Sequence, residues 1–497
     1  MKRVEAALTE NQLKRVLLLL FGEDPGFGGT GALLVLCSSS SGMKRTTLLL
    51  REIIVPQAGD LAWHPHRGAV ISSQYYNKAL RMAQSQEGVG VLCVRAHRNH
   101  TQSQARPEPT AHEAKLERDE LCFVSGVLGA TRPVAGASIT ADGRIGFRDY
   151  TFLFPKHPDP AHEPQRPSKS FFNYVDRIRI VGRELHIIKA QPQTTEQIIP
   201  ISHSKNGSAN PAADLTIGIV GLGGVGGVVA TQLAQVGVRS LVLLDYARAT
   251  SYDLEHSFGV TRKHVSSRTA KVNIYSRIAT QASTDSNFEV RRYRESILER
   301  PGLLPLLDCD IIVSTAEDAV VREVLDQVSY AHLIPVIDAG RAAAAEEGTT
   351  AVVNKANILS VGPGQACLEC QGAYTLEEAR NSRHNSLPEP VDEIRARDSA
   401  FPESICSNSL IASLAALRLL SLVRHPDYLV RDVEKYRGVE PTVSWGVRTC
   451  KDECLKHEWT GSGDAHSIPL GTDAKWKQIQ LKEKPRISRF YEPAMQR

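Results

Sequence analysis

The stretch TIGIVGLGGVGGVVATQLAQVGVRSLVLLDY, residues 216–246, decides the fold. An apolar run meets a glycine-rich turn, small residues follow, and a second apolar run ends at Asp245. This order predicts strand, tight turn, helix and strand, the unit of a nucleotide-binding α/β fold. The glycines let the backbone approach a phosphate, and the helix N-terminus supplies N–H donors. Asp245 is placed to accept hydrogen bonds from ribose hydroxyls. The candidate phosphate-binding glycines are Gly221, Gly223, Gly224 and Gly226.

The composition is that of an ordinary globular protein with more than one domain. The 497 residues are 42% hydrophobic and 23% charged, with a net charge of +4, which gives no reason to expect a nucleic-acid partner. The N-terminus lacks the apolar core of a signal peptide, and the apolar run 16–21 is too short to span a membrane. Nine cysteines, an odd number, suit a reducing compartment. We therefore expect a cytoplasmic protein without a membrane or nucleic-acid partner.

The chain divides into four predicted segments. Residues 1–153 carry a helical period near 6–20 and several strand-like apolar runs, typical of an α+β domain. Residues 154–213 are polar and proline-rich, apart from a predicted strand pair over 177–181 and 184–188, and form a linker. Residues 214–470 form the α/β domain, and residues 471–497 a basic tail.

The α/β domain is predicted to hold a mostly parallel sheet, because apolar runs alternate with helical segments. A long charged segment over 375–404 interrupts it, and loops of that length are usually functional or mobile. The candidate strands are Ile217–Val220, Ser240–Asp245, Phe288–Arg292, Ile311–Ser314 and Pro335–Asp338.

Two close cysteine pairs predict a metal site. Cys367 and Cys370 form a CxxC beside a Gly-Pro turn, and Cys450 and Cys454 form a later CxxxC. Four thiolates are a structural ligand set for one zinc ion with no open position. The alternative is four unconnected free thiols.

Cys406 stands apart from these pairs. It follows the charged segment and precedes an apolar helix, so the helix dipole would favour its thiolate. It is a candidate nucleophile, and the alternative is a buried structural cysteine.

These residues together resemble the ThiF/MoeB superfamily of adenylating enzymes, which activate ubiquitin-like proteins and sulfur carriers. The resemblance covers about residues 214–455 and rests on the order of the GxGGxGG turn, Asp245, Lys271, the CLEC pair, Cys406 and the late cysteine pair. It implies ATP on the glycine turn, Lys271 beside the phosphates, and a thioester on Cys406 after the partner's C-terminus is adenylated. It also implies a homodimer and, as a further partner, a conjugating enzyme.

Two segments depart from the pattern of the superfamily. Its Ser-Asn-Leu-x-Arg segment is replaced by Tyr-Asp-Leu-Glu-His, so Asp253 and His256 stand where an amide and an arginine are usual. Its magnesium-binding Asp-Asn pair matches Glu317 and Asp318. The resemblance thus assigns ATP and Mg²⁺ to this site, with a weakened positive charge beside the phosphates.

The N-terminal segment resembles, more faintly, the JAB/JAMM metal-dependent isopeptidases. Glu52 stands where that family has its catalytic glutamate, and His97, His100 and Glu113 stand in place of its metal ligands. The histidine spacing is one residue too long, and zinc ligands must be held within tenths of an ångström. We expect a degenerate domain kept for docking or dimerisation.

Two further functions stay open from the sequence. One is a scaffold that binds a ubiquitin-like protein and a conjugating enzyme without turning over ATP, for which Asp253 and His256 are the evidence. The other is an NAD-dependent oxidoreductase, which the glycine turn and Asp245 also fit.

Overall fold

A computed structural model gives the fold of the chain. Two large sheets, of nine and eight strands, organise the part of the chain that it describes. The structure describes residues 2–22, 29–64, 68–97, 111–129, 132–150, 173–189, 211–345, 352–384, 405–424, 433–437, 442–446, 448–471 and 477.

The first sheet is mixed and is built from residues 3–189. Its strands are β1 (Arg3–Thr9), β2 (Ala32–Ser41), β3 (Arg45–Ile54), β6 (Gly90–Ala96), β7 (Val134–Ile139), β8 (Ile145–Asp149), β9 (Asn173–Tyr174), β10 (Arg177–Val181) and β11 (Leu185–Lys189), and the hairpin β4 (Leu61–His64) and β5 (Gly68–Ile71) is separate. The helices are α1 (Glu10–Phe21), α2 (Ser73–Gln84) and α3 (Ala111–Leu128). The spatial order is β11-β10-β1-β3-β2-β6-β7-β8-β9.

The start of the chain corrects one prediction. The helix expected from about residue 6 begins only at Glu10, because Arg3–Thr9 forms a strand between β10 and β3. Thr9 caps this helix: its Oγ1 accepts from the backbone N of Gln12 at 3.1 Å, and Gln12 Oε1 accepts from the Thr9 N at 2.8 Å. A continuous apolar run fits a buried strand as well as a helix, so periodicity alone could not place this boundary.

The strand pair predicted within the linker is an integral part of the first sheet. β10 runs parallel to β1, with Arg179 opposite Ala7, and β11 returns antiparallel at the sheet edge. The proline-rich stretch 154–170 of the predicted linker lies outside the described residues.

The second sheet contains the glycine turn. Its strands are β12 (Thr216–Val220), β13 (Ser240–Leu244), β14 (Glu289–Tyr293), β15 (Ile311–Ser314), β16 (Val336–Ala345), β17 (Val352–Val361), β18 (Val433–Arg437) and β19 (Thr442–Gly446). Its helices are α4 (Gly224–Val236), α5 (Asp253–His256), α6 (Arg262–Ser266), α7 (Lys271–Ala282), α8 (Arg300–Leu306), α9 (Ala319–Ala331), α10 (Leu376–His384) and α11 (Ile405–Arg424).

The strand order β14-β13-β12-β15-β16 is that of a nucleotide-binding α/β sheet, and these five strands are parallel. β17, β18 and β19 extend the sheet with antiparallel pairing. The five predicted strands begin within one residue of their expected positions. The chain leaves β12 and β15 in opposite directions, so a crevice opens between the carboxyl ends of these two strands.

Helix α11 packs in the core of this second unit. By length and composition α11 could cross a membrane. The core helix of a soluble protein meets the same two criteria. Ala412, Ala415 and Leu419 of α11 are buried in one apolar cluster with Val229 of α4 and Tyr275 of α7. Helices α4, α7 and α11 therefore cover one face of the sheet, and α8 and α9 contribute to the apolar cluster on the other.

The two sheets share one apolar core. Ala7, Leu49 and Val181 of the first sheet are buried in the same cluster as Ile217 and Ile337 of the second. Burial of apolar surface at this seam stabilises the contact between the two units.

A buried ion-pair network reinforces the seam. The carboxylate of Asp310 accepts from Arg45 Nη1 at 2.8 Å, from Arg177 Nη2 and from the backbone N of Thr216 at 2.9 Å. Arg45 also pairs with Glu5 at 3.0 Å. Burial alone would raise the pKa of Asp310, but Arg177 and Arg45 hold it well below its usual value.

The burial of His332 at the same seam should make the stability of the protein depend on pH. His332 is 3% exposed, and its Nδ1 lies 2.8 Å from Ser40 Oγ of β2. Burial is the main cause that lowers its pKa to about 4; the nearby His466 and Arg179 act in the same direction and Asp464 against it. The unfolded chain therefore binds a proton between pH 6.5 and 4 that the folded chain does not.

We expect protonation of His332 in the unfolded chain to lower the free energy of unfolding by about 2–3 kcal/mol between pH 7.5 and pH 4.5. Urea unfolding at the two pH values measures it, and His332→Gln, which keeps a hydrogen-bonding side chain without the titration, should lose that part of the pH dependence. An unchanged pH dependence in His332→Gln would contradict the assignment.

Candidate functional site

The glycine turn joins β12 to α4 at the crevice between β12 and β15. Gly221 has a φ of +86°, which favours glycine, and its backbone N donates to the Leu244 carbonyl at 3.0 Å. A Cβ at Gly226 would collide with the carbonyl oxygen of Gly221. Gly223 occupies the N-cap of α4 without a side-chain hydrogen bond to the helix. The turn is therefore compact, and the first N–H groups of a 13-residue helix are available to an anion.

Asp245 ties the second strand to this turn. Its Oδ2 accepts from the backbone N of Leu222 at 2.7 Å, and its Oδ1 from the backbone N of Ala247 at 2.6 Å. Each carboxylate oxygen can accept a further hydrogen bond. The predicted acceptor for ribose hydroxyls is thus fixed beside the turn by two backbone donors.

Lys271 and Asp253 form a partly buried ion pair of 2.6 Å. The Asp253 carboxylate also accepts from Ser257 Oγ at 3.0 Å and from both the N and the Oγ1 of Thr250 at 2.9 and 3.0 Å. Burial alone would raise the pKa of Asp253, but the Lys271 ammonium and these hydrogen bonds hold it below its usual value. The predicted phosphate-binding cation therefore has a fixed position and a neutralising partner.

His256, in the place of the usual arginine, is directed back onto its own helix. Its ring stacks on Tyr252 with centroids 3.9 Å apart, and its Nδ1 lies 2.6 Å from the Tyr252 carbonyl. Its backbone carbonyl accepts from Asn408 Nδ2 at 2.9 Å. The ring is thus held within α5, whereas the main chain of His256 contacts α11.

Glu317 and Asp318 follow β15 and lie at the other side of the crevice. Asp318 Oδ1 caps α9 by accepting from the backbone N of Val320 at 2.8 Å. Thr315 connects this edge to the turn, since its Oγ1 donates to the Gly221 carbonyl at 3.0 Å. The predicted acidic pair therefore lies at the same end of the sheet as the glycines.

Asn408 is a site residue that sequence reasoning missed. It is 2% exposed, and a Cβ at Gly224 would collide with its amide nitrogen, so its side chain lies directly against the turn. Its Oδ1 is buried without a hydrogen-bond partner among the described residues. In the sequence, only its position two residues after Cys406 points to Asn408. Its contact with the turn forms only when α11 packs on α4.

Cys406 is exposed in the first turn of α11. Since Asn408 contacts Gly224, the structure brings the start of the cysteine-bearing helix to the start of α4. The charged segment predicted as a loop over 375–404 begins as helix α10 (Leu376–His384), and its residues 385–404 lie outside the described residues.

The four cysteines of the predicted metal site come together. The sulfur atoms of Cys367, Cys370, Cys450 and Cys454 all lie within 4.8 Å of one another, and the Sγ atoms of Cys367 and Cys454 are 3.8 Å apart. Four sulfurs each 2.3 Å from a tetrahedral zinc ion lie about 3.8 Å from one another. Backbone N–H groups support the thiolates: Cys367 N donates to Cys450 Sγ at 3.2 Å and Cys370 N to Cys367 Sγ at 3.3 Å. This cluster could hold a metal such as zinc.

A buried carboxylate holds the first cysteine loop. Asp326 of α9 accepts from the backbone N of Leu368 at 2.8 Å and from Tyr374 Oη at 3.1 Å. Lys456 lies 3.7 Å from the same carboxylate and follows the last cysteine. Burial raises the pKa of Asp326 to about 6. Both cysteine segments are thus anchored to α9.

The predicted isopeptidase-like residues do not come together. Glu52 lies opposite Leu36, and Leu36 lies opposite Val91 in the next strand pair. His97 follows Val91 by six residues, which at about 3.3 Å per residue places it roughly 20 Å further along the sheet. At this separation Glu52 and His97 cannot serve one metal ion.

The remaining members of that set are Glu113 and His100. Glu113 is exposed in the first turn of α3, and His100 lies outside the described residues. Within the part of the chain that the structure describes, the four cysteines are the group of His, Cys, Asp and Glu side chains that could hold a metal.

The cysteine cluster generates a direct prediction. Purified protein should carry about one zinc ion per chain, and Cys367→Ser should lose it and unfold at a lower temperature, because structural zinc binding contributes to folding free energy. Elemental analysis and thermal unfolding measure the two effects. Cys122→Ser, outside the cluster, is the matched control; zinc-free wild type, or unchanged stability of Cys367→Ser, would contradict the prediction.

Comparisons with known proteins find a sequence family and solved structures that are similar to part of this chain. The sequence profile of the ThiF family matches residues 197–454. No curated protein sequence matches the chain. Solved structures of Escherichia coli MccB with ATP and with MccA are similar at 18% identity, with TM-scores of 0.38 and 0.39, over 49% and 50% of this chain and 67% of MccB. The structure of PaaA is similar at 16% identity and a TM-score of 0.36, over 48% of this chain and 74% of PaaA.

The family match confirms the resemblance drawn from the glycine turn and the cysteine pairs, and it supports ATP-dependent adenylation of a substrate. Because the matched region spans more than half of the 497 residues, the chain belongs to the ThiF family.

Proposed function

We propose that this protein uses ATP to adenylate the C-terminal carboxylate of a ubiquitin-like protein or sulfur carrier, and then forms a thioester on Cys406. In the first step a carboxylate oxygen of the partner attacks the α-phosphorus of ATP, and pyrophosphate leaves. In the second step the Cys406 thiolate attacks the acyl carbon, and AMP leaves. The observation that carries the proposal is the contact of Asn408, on the helix that begins beside Cys406, with Gly224 of the turn.

The residues around the turn fit a nucleotide. A Cβ built at Gly223 meets nothing within 4 Å, so a ligand can approach the turn there, and the first N–H groups of α4 are oriented as a phosphate requires. Asp245 is held beside them with acceptor capacity for ribose hydroxyls. The buried Oδ1 of Asn408 adds an acceptor at the same place.

Lys271 would carry the positive charge beside the phosphates. Its ion pair with Asp253 fixes the ammonium but also reduces the net charge that a phosphate meets. Glu317 and Asp318 would hold Mg²⁺, which neutralises phosphate charge when bound. The reaction therefore relies on a pre-positioned cation rather than on the arginine that relatives carry.

A scaffold without ATP turnover is the second candidate, and two observations favour it. His256 is stacked on Tyr252 instead of extending a cation to the site, and Asp253 neutralises Lys271. The NAD-dependent alternative is disfavoured, since the chain is a ThiF-family member.

The same proposal includes a partner protein that receives the acyl group. A conjugating enzyme would take the acyl group from Cys406, which is exposed. We further propose that the protein is cytoplasmic and homodimeric, that zinc occupies the cysteine cluster, and that the JAB-like N-terminal unit docks partners rather than hydrolysing isopeptide bonds. The separation of Glu52 from His97 supports the last point.

Adenylation is tested by ATP–pyrophosphate exchange with a panel of ubiquitin-like proteins and sulfur carriers that end in Gly-Gly. We expect Lys271→Ala to exchange at least about a hundredfold more slowly than wild type, because a pre-positioned charge is removed. Lys263→Ala, an exposed lysine of the neighbouring helix α6, should exchange normally. No exchange by wild type with any partner would favour the scaffold, and normal exchange by Lys271→Ala would contradict the assigned role.

Thioester formation is tested on non-reducing gels. Wild type with ATP and its partner should give a higher-mass species that thiols cleave, and Cys406→Ala should lose it while retaining pyrophosphate exchange. Cys122→Ala is the matched control and should behave as wild type. If the species persists in Cys406→Ala, or never forms in a wild-type protein that exchanges pyrophosphate, Cys406 is structural.

A further inference from the structure

Arg179 presents an unused hydrogen-bonding edge inside the seam between the two sheets. It lies on β10 and is fully buried. Its Nη1 donates to the Cys309 carbonyl at 2.9 Å, whereas its Nε and Nη2 are buried and have no partner among the described residues. The Nε–H and one Nη2–H point in parallel from one edge of the guanidinium, the fork that holds a single acceptor with two hydrogen bonds.

The buried charges around this edge do not balance. The seam holds four buried or nearly buried arginines and three buried carboxylates, which leaves one positive charge among the described residues. These groups are Arg45, Arg177, Arg179, Arg291, Glu5, Asp308 and Asp310.

Arg179 carries the unbalanced charge. Asp310 Oδ1 is 3.7 Å from its Nη1, further than from the other two arginines that it serves. Burial, and then the neighbouring Arg45, lower the pKa of Arg179 to about 10, so the side chain remains charged at neutral pH. A buried charge without a full set of partners is costly unless a counter-ion supplies them.

A second unpartnered donor lies on the same face of the sheet. Thr47 of β3 is fully buried, and its Oγ1 has no partner within the described residues. The register places Thr47 opposite Glu5 of β1, and Arg179 opposite Ala7 of the same strand. Residues 5 and 7 of a strand share a face, so the hydroxyl and the guanidinium face the same seam.

We propose that a small monovalent anion, chloride in the cell, binds at the Nε–Nη2 edge of Arg179 and locks the two sheets together. One negative charge balances the excess, whereas a phosphate dianion would exceed it. The complete burial of Arg179 favours a monatomic ion over a bulky carboxylate ligand. The site is distinct from the glycine turn and does not depend on the proposed adenylation.

The test compares thermal unfolding of the full-length protein in sodium chloride and in sodium gluconate at equal ionic strength and pH 8. At a tenfold excess over its dissociation constant, chloride should raise the wild-type midpoint by about 1.5 °C over gluconate. Arg179→Gln should lose that difference. Arg239→Gln removes an arginine from an exposed ion pair and should keep it.

Bromide soaked into wild-type crystals gives a second readout that needs no variant to fold. An anomalous peak within hydrogen-bond distance of Arg179 Nε and Nη2 is expected. Equal midpoints in the two salts, or a chloride effect that persists in Arg179→Gln, would overturn the proposal. Density at this edge that is an ordered water without anomalous signal would also overturn it.

Discussion

The close backbone packing of the glycine turn is the constraint on which the rest of the site depends. The carbonyl of Gly221 lies where a side chain at position 226 would have to be, and Thr315 donates to the same carbonyl from the neighbouring strand. Only glycine lets β12 turn this tightly into α4. The turn therefore fixes the start of α4, and through Asp245 also the end of β13.

Two consequences follow from the position of α4. Its Gly224 has no side chain, so Asn408 packs against it, and α11 starts beside the turn. Its Gly227 likewise admits the ring of Tyr275, which brings α7 and Lys271 to the same place. A nucleotide-binding turn, a cation and an exposed cysteine are thus brought together by contacts that small residues permit. The buried network around Asp310 then attaches this unit to the first sheet.

The sequence predicted the elements that are encoded locally. The strands around the turn could be placed because each is an apolar run that ends in a helix or turn signal, and the four cysteines because their spacing is typical of a zinc site. What it missed depends on contacts between distant residues. β1 looked helical because it is buried on both faces: Ala6 and Leu8 pack in the apolar cluster of the first unit, and Ala7 packs in the cluster at the seam. The contact of Asn408 with the turn and the ion pair of Asp253 with Lys271 exist only in the folded chain. Strand register, which the sequence does not give, sets the separation of Glu52 from His97.

The measurement that tests the central claim most directly follows oxygen from the partner into the nucleotide. A partner protein whose C-terminal carboxylate is labelled with ¹⁸O is incubated with the full-length protein, ATP and magnesium, and the nucleotide product is weighed by mass spectrometry. If a carboxylate oxygen attacks the α-phosphorus and AMP leaves when the thiol attacks, the AMP released carries one labelled oxygen. Label in inorganic phosphate together with ADP, or no label transfer from any ubiquitin-like protein or sulfur carrier, would contradict adenylation.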